Sequence, residues 1–154
     1  MKIPVVILML TAIFLLTAGC MTPVAPVTPI GPDDQFRQAW QDSENRTMRY
    51  AIAITSTTDP QEMADLSEEM IRDIDNTTDD ISRLNVSMNY TPIKREYLSA
   101  LDYLRLTCVD IMKASQAKTD EEAQEFIDSA TGNLREANLR RAWVEQKMPS
   151  GGIR

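Results

Sequence analysis

Few residues in this 154-residue chain have types and spacing that could do chemistry, and histidine is not among them. Its absence removes the commonest general base, the commonest metal ligand and every Ser-His or Cys-His nucleophile pair. The run Asp73-Ile74-Asp75-Asn76-Thr77-Thr78-Asp79-Asp80 offers the alternating oxygen donors of a calcium loop. Such a loop starting at Asp73 needs glycine at position 78 and a bidentate glutamate at position 84, where Thr78 and Leu84 stand. Ile74, Thr77, Ile81 and Leu84 also keep a helical stripe in phase through the run, which predicts an acidic helix face and no metal site. Di-iron bundles need inward Glu-x-x-His ligands, and phosphate loops need clustered glycines. Of the glycines, only Gly132 falls within the expected helical region. The pairs Glu68-Glu69 and Glu121-Glu122 would diverge by about 100° on a helix. No catalytic residue and no cofactor is expected.

The two cysteines have different prospects. Cys108, in Leu104-Arg105-Leu106-Thr107-Cys108-Val109, reads as a small buried hydrophobe. Cys20 follows Met1-Lys2, the uncharged apolar run Ile3 to Leu16, and Thr17-Ala18-Gly19. That order is basic start, hydrophobic segment and small residues before a cleavage point. With Ala18, Gly19 and Cys20 in place, it resembles the lipobox of prokaryotic lipoproteins, although Thr17 stands where that family prefers Leu, Val or Ile. The resemblance implies a signal peptide over residues 1–19 and a lipid on Cys20, leaving Cys108 without an intrachain disulfide partner. The alternative is an uncleaved helix over Ile3 to Met21, about long enough to span a bilayer. Either anchor places the remainder on the extracytoplasmic face of the cell membrane.

After the cysteine, residues 20–32 carry Pro23, Pro26, Pro29 and Pro32, a spacing that favours a polyproline II tether of roughly 3.1 Å per residue. Four Asn-x-Ser/Thr sequons occur among six asparagines, at Asn45, Asn76, Asn85 and Asn89, where chance gives about one. All four fall off the apolar stripes or near a connection, which makes them possible N-glycosylation sites. Together with the tether and the lipobox-like start, they make the chain look like an archaeal surface lipoprotein.

The elements that must position these residues are helices. Asp59-Pro60-Gln61-Glu62 and Thr119-Asp120-Glu121-Glu122 are capping-box starts, Thr91-Pro92 is a third start, and Asp33 or Asp34 a fourth. The expected apolar stripes are Phe36, Trp40, Ser43, Thr47, Ala51 and Ile54, then Met63, Leu66, Met70, Ile74, Thr77, Ile81, Leu84 and Met88. A third runs Ile93, Tyr97, Leu101, Leu104, Cys108, Ile111 and Met112, and a fourth Ala123, Phe126, Ile127, Ala130, Leu134, Ala137 and Val144. No segment alternates with period two. Helices of similar length joined by short connections predict an all-α, antiparallel up-down-up-down four-helix bundle over residues 33–147, with 148–154 as a flexible tail. Trp40 and Trp143 should then share one end. Gly132-Asn133 either breaks the last helix or marks a close helix contact.

The net charge of −7 argues against nucleic acid as a partner. The reading that follows is a membrane-tethered, non-enzymatic bundle that presents a surface to an extracytoplasmic or membrane protein, or serves as an envelope structural module. The alternative is a small-molecule-binding or sensory four-helix domain, for which polar groups should converge around Thr77, Thr107 or Arg105.

Overall fold

A computed structural model of the chain describes residues 31–148. The signal segment, Cys20, most of the tether and most of the tail lie outside the described residues. Four helices follow one another: α1 Pro32–Ser56, α2 Pro60–Ser82, α3 Thr91–Gln116 and α4 Asp120–Lys147. They pack as the antiparallel four-helix bundle that the stripe spacing and short connections predict. At 1.5 Å per residue the longest, α4, spans about 42 Å.

Local chemistry sets most boundaries. Asp59 caps α2 by accepting from the Gln61 amide at 2.9 Å, with Pro60 in the first turn, and Thr119 caps α4 by accepting from the Glu122 amide at 3.1 Å. Two starts differ from expectation. Gly31 is the N-cap of α1, so Pro32 is already helical, and the Asp33 carboxylate accepts from the Ser87 amide at 2.7 Å instead of capping its own helix. The N-cap of α3 is Tyr90, with Thr91 the first helical residue and its hydroxyl donating to the Ser87 carbonyl at 3.1 Å. The α2 stripe also ends earlier than its heptad spacing suggests. The helix stops at Ser82, Lys94 Nζ donates to the terminal carbonyls of Ser82 and Leu84, and Met88 stands 91% exposed.

The core runs the length of the bundle. Phe36 and Ile54 come from α1, Met70, Ile74 and Ile81 from α2, Tyr97, Leu101 and Leu104 from α3, and Leu134, Ala137 and Val144 from α4. Phe36 meets the edges of Tyr90 at 6.1 Å and Tyr97 at 6.4 Å, which sets the start of α1 beside the start of α3. Glu44 and Arg141 form an ion pair that joins the first half of α1 to the last turns of α4. Trp40 lies one turn before that glutamate and Trp143 two residues after that arginine, so the two tryptophans share the end at which the chain enters the bundle. Helices α3 and α4 pack most closely, and α1 packs least closely on its neighbours. Gly132 neither breaks α4 nor sits at a close contact: the helix is continuous through it, and the space where a Cβ would stand is open.

Candidate functional site

Several polar side chains lie inside the bundle, where burial without a partner is costly. Arg141 is 7% exposed and falls in phase with Leu134, Ala137 and Val144 on the buried face of α4. Its Nε donates to Glu44 Oε2 at 2.9 Å, its Nη2 donates to the same oxygen, and its Nη1 donates to Asn138. Burial alone would lower the Arg141 pKa, but the Glu44 carboxylate outweighs it and the guanidinium is held above its ordinary value. Tyr97 packs against the same group. It is fully buried, its hydroxyl lies near Ser43 and Glu44 without a hydrogen bond of good geometry, and burial followed by the Glu44 charge pushes its pKa well up.

Each remaining seam has its own polar clasp. Arg46 of α1 donates to Asp73 at 2.8 Å and to Thr77 at 2.9 Å on α2. Arg105 of α3 reaches Asp75 of α2 at 2.8 Å. Between α3 and α4, Arg140 donates to Glu96 at 2.7 Å beneath the Tyr103 ring, and Asp110 accepts from Ser129 at 2.7 Å and Asn133 at 3.0 Å. Arg37 donates to the Tyr90 hydroxyl at 2.5 Å. The acidic run Asp73–Asp80 is therefore helix surface, with Asp73 and Asp75 spent on arginines of neighbouring helices. Among the described residues no group of carboxylates or thiols is arranged to hold a metal ion.

Residues expected to line a ligand pocket are committed elsewhere. Thr77 accepts from Arg46, Thr107 donates to the Tyr103 carbonyl at 2.9 Å, and Arg105 is an exposed partner of Asp75. They do not converge. Among the described residues, four side-chain polar atoms are buried without a hydrogen bond, Arg37 Nε, Trp40 Nε1, Tyr97 Oη and Arg140 Nε, and all belong to the entry half of the bundle. Arg37 is turned to Asp34 and Tyr90, and Arg140 to Glu96 and Tyr103, so the two guanidinium groups serve different seams. Cys108 is buried, and burial pushes its thiol up to about 12, which makes it a poor nucleophile at neutral pH.

The outer surface carries two further features. An open groove of about 550 Å³ lies over α1, lined by Asp42, Asn45, Arg46, Met48 and Arg49. At the end away from chain entry, Asp59 and Glu62 begin α2 while Asp120, Glu121 and Glu122 begin α4, so two helix N-termini gather acids at one tip. That placement suits the helix dipoles and makes the tip acidic. Large apolar side chains exposed among the described residues, Ile52, Met88, Leu106 and Leu139, come from four different segments.

All four sequon asparagines are exposed. Asn45 and Asn76 lie inside α1 and α2, whereas Asn85 and Asn89 lie in the irregular segment between α2 and α3. Sequence reasoning placed Tyr97 on the buried stripe of α3 but missed Arg141 and Asp110 as buried polar groups. For Arg141 the signal was present, since position 141 continues the buried phase of α4. No helix among the described residues is long and apolar enough to cross a membrane. No known protein family, curated protein or solved structure matches this chain.

Proposed function

We propose that the chain is a membrane-tethered extracytoplasmic bundle, anchored through a lipid on Cys20, that acts as a non-enzymatic protein-interaction or envelope structural module. The observation that carries the reading is how the bundle's charged and hydroxyl groups are used. Arg46, Arg105, Arg140, Arg141, Asp73 and Asp110 are spent on holding helices to one another, which is the chemistry of a scaffold and not of a reaction centre. The groups that would favour a bound small molecule, around Thr77, Thr107 and Arg105, are engaged in those clasps or with backbone. The acidic tip at the far end would face away from the membrane and towards a partner. A net charge of −7 fits a protein partner better than nucleic acid.

The test is mass spectrometry of the protein gently extracted from its own membranes. A denatured mass equal to a chain beginning at Cys20 plus lipid, released to the soluble fraction by Cys20→Ala with an unchanged melting temperature, is the expected result. Native species carrying a second protein would favour interaction; native species carrying a small molecule would overturn the reading. A denatured mass equal to the whole unprocessed chain would replace the lipid anchor by a spanning helix.

A further inference from the structure

The four sequons are equivalent in sequence and unequal in the fold. Transfer of a glycan to asparagine requires the side-chain amide to be reachable together with the hydroxyl two residues on. In an α-helix, residues i and i+2 point about 200° apart. Asn45 is exposed on α1, but its Thr47 is 2% exposed and belongs to the core face. Asn76 and Thr78 have the same helical relation within α2, and Thr78 is half-buried. Between the helices the situation differs. Asn85 and Ser87 are both exposed, and so are Asn89 and Thr91. Neither asparagine side chain makes a hydrogen bond, and the bond from the Thr91 hydroxyl to the Ser87 carbonyl is itself exposed.

We propose that Asn85 and Asn89 are N-glycan acceptors of the folded domain and that Asn45 and Asn76 are not. The proposal rests on the extracytoplasmic placement given above. The donor class is a glycan linked to a polyprenyl phosphate or diphosphate. The sugar C1–O bond to phosphate breaks, a C1–N bond forms to the asparagine amide, the amide loses one proton, and the lipid phosphate leaves. The Asp33 bond to the Ser87 amide sets this segment at the chain-entry end, so the glycans would surround the tether and leave the acidic tip bare.

The three regions separate cleanly by trypsin, because cleavage at arginine and lysine yields peptides 38–46, 73–83 and 84–94. Protein purified from its own membranes is digested and mapped by mass, with Asn85→Gln and Asn89→Gln, singly and together, assigning the acceptors. In parallel, intact cells are treated with external protease. The expected result is a glycan mass shift on 84–94, reduced in each single variant and lost in the double variant, with 38–46 and 73–83 unshifted. A shift on 38–46 or 73–83 overturns the selection by fold. Three unshifted peptides from a domain that external protease digests overturn glycosylation and leave the placement standing. Three unshifted peptides from a domain protected on intact cells overturn the placement and, with it, this proposal.

Discussion

Arg141 occupies the apolar phase of α4 between Ala137 and Val144, and the Glu44 carboxylate opposite is what makes that burial tolerable. Removing one partner leaves the other charged in a place with little water. Arg141→Ala is expected to destabilise the bundle by about 3 kcal/mol, whereas Glu44→Leu with Arg141→Met restores at least wild-type stability, both read by urea unfolding. Gly132 provides the opposite case. It sits within a continuous helix, exposed and with free space at its Cβ position, so Gly132→Ala is expected to raise stability by about 1 kcal/mol in the same measurement.

Alkaline titration belongs to the same scale. Burial pushes the Cys108 thiol from 9.0 up to about 12 and raises the Tyr97 phenol above 10.0, so the fold favours the neutral form of both. Their contribution is complete below the unfolded values and is lost as pH climbs through them towards the folded ones. Stability is therefore expected to hold up to about pH 8.5 and then to fall, by at most about 1.4 kcal/mol per pH unit for each group. Urea midpoints across that range check it, with Cys108→Ala showing a shallower decline. Cys108 was legible from its apolar neighbours in the sequence. The Tyr97–Glu44–Arg141 grouping was not, because it joins positions on three helices that no local pattern connects.

At the scale of elements, α1 is the exception. Ser43 and Thr47 stand on its buried face, and it packs less closely than α3 and α4 do on each other. Much of its attachment runs through Glu44, Arg46 and the Asp33 contact. Backbone amides of α1 are accordingly expected to exchange with deuterium earlier than those facing the α3–α4 seam, as native-state exchange followed by mass spectrometry would show. The helix starts show why sequence reading succeeds and where it stops. Asp59 and Thr119 cap with their own side chains, a local interaction written into neighbouring residues. Tyr90 caps α3 without any such bond, held by its buried ring against Phe36 far away in the chain, and nothing within the local segment announces that. The same tertiary preference ends the α2 stripe before Met88, where Lys94 neutralises the last carbonyls.

Across the whole molecule, topology was the most legible property. Three connections too short to cross the bundle, between helices of similar length, leave little choice but alternating directions. Function was less legible, and the function proposed above would account for that: recognition by a broad surface needs no fixed spacing of reactive groups and so leaves no motif to read. Of the polar groups that sequence would nominate for chemistry, Asp73, Asp75, Thr77 and Arg105 bind helix to helix. On the function proposed above, the N-terminal segment and the sequons are addressed to machinery outside the chain.

The Asp33–Ser87 contact also fixes how tension would travel. The chain enters α1 at one end of the bundle, and the α1–α2 connection lies at the other. If the far tip is held, a pull on the chain entering α1 loads that helix along its axis, and the Arg46 and Glu44 attachments must fail together. If the load is carried instead by the last turn of α4, beside the point of entry, the same pull peels α1 away one turn at a time. The bundle would thus resist force applied between the far tip and the point of entry far better than force applied between the point of entry and the end of α4.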